Sequence, residues 1–336
     1  MKAWEIVSDS GINGLSLGER DDPIPGPNEV LLAVKASSLN YRDLSTILNP
    51  SVRNISYPRI PNSDCAGEIL SVGCDVTSFK SGDRVMGCFF QQWASGGISS
   101  IAMNSALGGP IDGVLCEKVV LKASSIIAVP DHLTLEEAST LPCAAVTAWN
   151  ALVEFNKVKP GDTFLLLGTG GVSIFSQQFC NILGANTIVT SSDDEKLKKI
   201  KKIGANDVIN YESRVDWDKA VIELTQNTGV DHVIEVGGAG TLQKSIITSK
   251  IGGNITLIGV LTGTMGTIIP TDIMRKSITL RGIYVGSRQI FLEMSKAISY
   301  HKLRPIIDST FDFDDAQSAF KYMKKGEHFG KIVIRI

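Results

Sequence analysis

One glycine-rich turn carries the residues best suited to chemistry. Phe164-Leu-Leu-Leu-Gly168-Thr169-Gly170-Gly171-Val172-Ser173 runs from an apolar stretch into a helical one. Gly168 permits a tight turn, and Gly170 lets the backbone approach a pyrophosphate. The N–H groups opening the helix at Gly171 and Val172 can then hold that anion. Ser173 stands where the Gly-x-Gly-x-x-Gly pattern has its third glycine. The pattern alone is weak. A strand before it, a helix after it and four further strand–helix units make it a dinucleotide-binding turn.

A ribose 2′-hydroxyl is normally held by an acid about 20 residues further on, at the end of the second strand. That strand ends here in Val189-Thr190-Ser191-Ser192. Small hydroxyl side chains leave room for a 2′-phosphate and do not repel it. Lys196 follows one turn into the next helix, and Tyr211 follows the third strand, so either can meet an adenosine phosphate. This predicts NADP(H). Two alternatives stay open. Lys196 can belong to a solvated face with Lys198, Lys199, Lys201 and Lys202, and Asp193 or Asp194 can serve NAD(H) instead.

Other chemistries lack their residues. There is no Tyr-x-x-x-Lys, Walker A loop or His-Glu-x-x-His. Gly326-Glu-His-Phe-Gly330-Lys331 has the wrong spacing for a phosphate loop. The four histidines, 132, 232, 301 and 328, form no closely spaced Cys/His set, so no zinc is expected.

The elements that must position the turn follow from pattern. Residues 163–167, 187–190, 207–210, 232–236, 254–258 and 278–280 read as strands. Between them, 172–183, 195–203, 217–225 and 241–249 read as helices. Apolar strands alternating with helices predict an α/β fold, a doubly wound parallel sheet covered on both faces. Before residue 134 the chain reads as short strands, 30–34, 66–72, 84–86, 113–121 and 126–129, with Gly/Pro punctuation. That predicts a barrel-like β-domain. Thr134-Leu-Glu-Glu137 is a capping box, and its helix should stop at Pro142. Residues 91–113, rich in Gly, Ser and Ala, read as a long loop, with Trp93 as substrate wall or core anchor. A last strand at 331–336 has no helix after it and can return to the β-domain.

The 336 residues suit about two domains. Lys and Arg number 33 and Asp and Glu 35, so the chain lacks a nucleic-acid binder's basic excess. No apolar run approaches the ~18 residues needed to cross a bilayer. Six cysteines without a Cys-x-x-Cys pair, and a start without an apolar signal region, predict a cytoplasmic protein.

The whole chain resembles the medium-chain dehydrogenase/reductase superfamily, in its zinc-free alcohol dehydrogenase and quinone oxidoreductase-like branch. The resemblance is carried by Pro23-x-Pro25-x-Pro27-x-Glu29-Val30, Lys35-Ala-Ser-Ser-Leu-Asn40-Tyr41-Arg42-Asp43, Asn62-Ser63-Asp64-x-x-Gly67 and Gly82-Asp83-Arg84-Val85. It continues in Leu141-Pro142-Cys143, Thr147-Ala148-Trp149, Gly168-Thr-Gly-Gly-Val172, Gly282-Ile-Tyr-Val-Gly-Ser-Arg288 and Gly330-Lys331-Ile332-Val333. It implies a GroES-like catalytic domain over 1–144, a Rossmann cofactor domain over 145–287, and a return over 288–336 that completes the first. Homodimers are common in that superfamily and are expected here.

Zinc-dependent members hold the metal with Cys, His and Cys. The matching positions here are Asn40, Ser63 and Cys143, and one such ligand of three cannot hold a catalytic zinc. Without a Lewis acid, hydrogen-bond donors alone must meet the charge on a substrate oxygen. The resemblance therefore implies a zinc-independent NAD(P)H-dependent oxidoreductase that transfers hydride to a quinone or α,β-unsaturated carbonyl. Alcohol/aldehyde interconversion without zinc and a non-catalytic NADPH-binding sensor are the alternatives. Asn40, Tyr41, Ser63, Asp64 and Thr147 are the catalytic candidates it implies. Thr147, Gly237, Ile258, Gly259, Val260 and Arg288 should line the nicotinamide half, and Lys331 can reach the cofactor or the cleft.

Overall fold

Residues Phe164 to Leu167 are almost wholly buried, because the strand that carries them lies in the middle of a sheet covered on both faces. The computed structural model describes residues 1–336. It divides into two compact units, Met1–Val146 with Gly286–Ile336, and Thr147–Val285. No helix is long and apolar enough to cross a membrane.

The Thr147–Val285 unit is built on six parallel strands. Across the sheet they run Asp207–Asn210, Asn186–Ser191, Thr163–Leu167, Val230–Glu235, Ser249–Leu257 and Thr279–Gly282. Leu165 pairs with Ile188 on one side and Val233 on the other. Helices Gly171–Leu183, Asp194–Lys202, Trp217–Leu224 and Leu242–Thr248 connect the strands. Leu165, Leu167, Ile188, Val233, Ile246 and Ile255 share one core. Each fully buried aliphatic side chain there contributes about 1.5–3 kcal/mol. Strand order reverses on either side of Thr163–Leu167, so the ligand crevice of such a sheet lies at the carboxyl ends of that strand and its neighbours.

The other unit is organised by the ten-residue strand Glu29–Ser38. It pairs antiparallel with Asp64–Val72, Lys118–Lys122 and Lys331–Arg335. Val333 lies opposite Ser38, which carries the C-terminal strand to the start of the Tyr41–Leu48 helix. A parallel strand, Ile307–Asp312, flanks Lys331–Arg335, and an N-terminal hairpin joins Lys2–Ile6 to Leu15–Glu19. Neither was legible in the sequence pattern.

Three local readings are corrected. Residues 113–121 do not form one strand, and regular pairing is confined to Lys118–Lys122. Gly113 instead packs on residues 61 and 62, where a Cβ would stand about 2.1 Å from the Pro61 carbonyl oxygen. The helix opened by the Thr134–Glu137 capping box does not stop at Pro142. It continues through π-helical turns at Leu141–Ala145 and Asn150–Phe155, whose wider register accommodates a residue without an N–H. The 91–113 segment contains a short helix, Ser100–Met103. Trp93 is an anchor within it: its indole donates to Gly96 O at 3.0 Å and lies edge-on to Phe90.

Candidate active site

The glycine turn has the geometry a dinucleotide needs. Gly168 has φ +72°, and a Cβ on Gly168 or Gly170 would meet no atom within 4 Å. The turn therefore faces open space. Gly170 is the N-cap of the 13-residue Gly171–Leu183 helix and offers no side-chain acceptor to its first N–H groups. Those donors, at the positive end of the helix, suit a phosphate. Ser173 explains the missing third glycine, since it is buried and its hydroxyl donates to Leu167 O at 2.7 Å. Thr169 is buried in the turn.

Glu235 ends the adjacent strand, and no sequence pattern singled it out. It is fully buried with no cation among its partners. Its Oε1 accepts the N–H of Gly237 at 2.7 Å, the N–H of Gly238 at 2.9 Å and the Thr241 hydroxyl at 2.6 Å, and its Oε2 accepts the Ser245 hydroxyl. Its carbonyl accepts from the N–H groups of Ile258 and Gly259. One residue thus ties together both backbone stretches assigned to the nicotinamide half. A Cβ on Gly237 would stand 2.3 Å from Thr241 Oγ1, and one on Gly259 2.2 Å from Val236 O. Val260 is partly exposed beside them. The only sequence signal was an acid closing an apolar strand immediately before Val236-Gly237-Gly238.

At the adenosine end the structure engages the two acids that would favour NAD(H). Asp193 caps the Asp194–Lys202 helix by accepting the Lys196 N–H at 3.0 Å, and that hydrogen bond lowers its carboxyl below its ordinary value. Asp194 accepts the Asn210 side-chain amide at 2.7 Å. Ser191 is buried, Ser192 is exposed, and the Tyr211 N–H donates to Ser191 O at 3.0 Å, so the three lie together.

In the other unit, Asn40 precedes the Tyr41–Leu48 helix. Its own N–H donates to Asp43 Oδ2 at 2.9 Å. Its Oδ1 accepts from Lys331 Nζ at 2.6 Å, and the same ammonium donates to Leu39 O at 2.6 Å. The amide Nδ2 is buried without a partner. Asp64 accepts the Ser63 hydroxyl at 2.7 Å, the Cys143 N–H at 3.1 Å and the Ser38 hydroxyl at 3.4 Å. Lys331 Nζ lies 4.0 Å from it. Ser63 and Asp64 are fully buried, and the Ser63 hydroxyl and the Asp64 carboxylate are hydrogen-bonded within the cluster. Tyr41 is about half exposed, and Thr147 is buried at the start of the cofactor unit.

Asp43 is fully buried, and burial pushes its carboxyl up to about 6 against the pull of Arg42. Arg42 lies 3.5 Å from that carboxylate and stacks over the Phe89 ring. The resemblance gives Arg288 to the cofactor and Lys331 to the cofactor or the cleft; both hold protein partners here. Arg288 Nε donates to Ile126 O at 3.4 Å, and Lys331 serves Leu39 and Asn40.

The positions matching a zinc site do not fit the metal. Asn40 Oδ1 faces an ammonium, and the Ser63 hydroxyl is given to Asp64. Burial first, then Asp64, pushes the Cys143 thiol up from its ordinary value. No group of three or more His, Cys, Asp or Glu side chains is placed to hold an ion.

Residues 26–131 match the alcohol dehydrogenase GroES-like domain, and residues 171–300 match the zinc-binding dehydrogenase domain. A zinc-type alcohol dehydrogenase-like protein of Schizosaccharomyces pombe is 42% identical over 97% of this chain and 96% of its own. The acryloyl-coenzyme A reductase of Metallosphaera sedula is 26% identical over 99% of both. The solved structure of the quinone oxidoreductase from Coxiella burnetii superposes with TM-score 0.81 at 26% identity, covering 100% of this chain and 99% of that one.

Proposed function

Because the chain belongs to the medium-chain dehydrogenase/reductase superfamily, as an oxidoreductase with a nicotinamide cofactor, we propose that it is a zinc-independent reductase of activated carbonyl compounds, quinones or α,β-unsaturated carbonyls, using NADPH. The observation that carries this reading is the environment of Asn40. Where the superfamily's zinc enzymes keep a metal ligand, this chain presents a buried amide donor with no acceptor of its own. Such a donor meets charge that develops on oxygen. One hydrogen bond stabilises less charge than a metal does, so the substrate must spread that charge itself, as a quinone or enone can.

The cofactor supplies hydride when bound. The residues around it bind and orient. Gly168 to Val172 and the helix N–H groups take the pyrophosphate, and Glu235 holds the loops at Gly237 and Gly259 for the nicotinamide half. Ser191, Ser192, Lys196 and Tyr211 take the 2′-phosphate, with Asp193 and Asp194 turned to other partners. Asn40 holds the substrate oxygen, and half-exposed Tyr41 is a second donor. Names among the relatives support this reading: one reduces an acryloyl thioester and one a quinone. Alcohol/aldehyde interconversion is the second reading, favoured by the name of the fission-yeast relative. The reading places the protein in the cytoplasm, which suits six free cysteines, and as a homodimer.

The test is a fluorescence titration with NADPH and NADH, then turnover of 9,10-phenanthrenequinone and a simple enone, with and without prior chelation. Chelator-insensitive oxidation of NADPH supports the reading. Binding with no turnover of quinone, enone or aldehyde replaces it with a sensor. Loss of activity on chelation, restored by zinc, defeats the zinc-independent mechanism.

A further inference from the structure

We propose that Lys331 is the positioning residue of the substrate-oxygen site, holding the Asn40 amide so that Nδ2 faces a carbonyl oxygen. The inference rests on the reading of Asn40 given above and adds what orients it. An ammonium donates and never accepts, so the oxygen of the Asn40 amide must face Lys331. That leaves the NH₂ group turned the other way, buried and without an acceptor. A buried unsatisfied donor is costly, and native folds keep few of them, so an acceptor belongs there when the site is filled.

Lys331 is well built for the task. It is almost wholly buried and accounted for on several sides: Leu39 O and Asn40 Oδ1 at 2.6 Å each, with the Asp64 carboxylate at 4.0 Å. Asp64 is itself pinned by Ser63, Cys143 and Ser38, so the ammonium cannot shift toward it without loss. The strand that carries Lys331 is locked by the pairing of Val333 with Ser38. Positive charge on the oxygen side of an amide also draws electron density from its nitrogen and makes the N–H groups better donors. The ligand chemistry that follows is a neutral carbonyl whose oxygen gains negative charge during reduction.

The experiment joins kinetics to a spectroscopic readout that needs no turnover. With ¹⁵N-asparagine labelling, the Asn40 side-chain NH₂ signals are those lost in Asn40→Asp. They should be rigid in the wild type and mobile in Lys331→Met. In turnover, Asn40→Asp should lower kcat by about 10²–10³-fold, the loss seen when one oxyanion donor is removed. Lys331→Met should lower it at least ~10-fold while the NADPH Kd stays within about twofold, and Asn40→Ala/Lys331→Met should be no worse than Asn40→Ala, as for residues acting as a unit. Rigid Asn40 signals or full kcat in Lys331→Met overturn the proposal, and so do additive losses in the double variant. Should Lys331→Met not fold, Lys331→Gln, too short to span both oxygens and uncharged, carries the same readouts. If the wild type reduces neither quinone nor enone, the functional reading falls, and the NMR signals alone decide the role of Lys331.

Discussion

Glu235 Oε1 accepts the backbone N–H of Gly237 at 2.7 Å, and through this bond a fully buried carboxylate shapes the loop that follows its own strand. The same oxygen accepts Gly238 and Thr241, and Oε2 accepts Ser245, so removing the side chain takes the acceptor from four donors at once. Each buried donor left unsatisfied costs about 1–3 kcal/mol. Glu235→Ala should lower the melting temperature and weaken NADPH at least ~10-fold, a free-energy change well inside that cost. Glu235→Gln keeps one acceptor oxygen for the three donors on Oε1, and Ser245 can turn to accept from its amide, so its NADPH Kd should lie much closer to wild type. Fluorescence titration of the two variants checks the order.

The two glycines of the turn should behave differently. Gly168 has φ +72°, where a side chain is strained whatever the space, so Gly168→Ala should destabilise the fold by about 1 kcal/mol. Gly170 has φ −79° and open space beyond it. Gly170→Ala should therefore fold, with only the loss of a poorer N-cap residue, yet bind NADPH poorly, because the new methyl stands where the pyrophosphate must approach. Thermal melts and nucleotide titrations of both variants separate the effects.

Cofactor choice should move with single charges. Ser191→Asp puts an acid at the end of the second strand, where a 2′-hydroxyl is welcome and a 2′-phosphate is repelled. The ratio of NADH to NADPH dissociation constants should fall by about tenfold, a change of about 1.4 kcal/mol. Lys196→Ala should lower the ratio in the same direction. An unchanged ratio in both would mean that neither residue meets the 2′-phosphate.

Asp43 gives a pH signature. Its folded value, about 6, lies above the ordinary 3.8, so the folded chain binds more protons between these values than the unfolded one does. Stability from this group is therefore present at low pH and is lost as pH rises from about 4 to about 6, by up to roughly 3 kcal/mol. Asn at the same position does not titrate. Urea melts at several pH values should show wild type losing stability relative to Asp43→Asn as pH rises through that window, and no further change above it. A difference that is flat with pH would show that Asp43 titrates alike in the folded and unfolded chain.

Much of the cofactor unit was legible because local backbone physics writes it. Strands buried on both faces need continuous apolar runs, as at 163–167. A turn with positive φ needs glycine, as at Gly168. Where the pattern misled, a neighbour had changed the local rule. Pro142 should end a helix, but the π-helical turn absorbs it, and the Cys143 N–H that follows is used on Asp64. Glu235 was missed because nothing in the sequence says that one strand-end carboxylate will collect two N–H groups and a hydroxyl from the next six residues.

The sequence by itself determined the α/β architecture and the place of the glycine turn, and it carries Asn40 and Ser63 at the positions that the resemblance matches to zinc ligands. These depend on residue type, spacing and backbone conformation within short stretches. Only the tertiary structure decided what surrounds Asn40. Lys331 is 291 positions away in the chain and reaches Asn40 because Lys331–Arg335 pairs antiparallel with Glu29–Ser38. Strand pairing between distant segments is selected by the whole packed sheet, so an amide's orientation and its spare donor exist only once that sheet has formed.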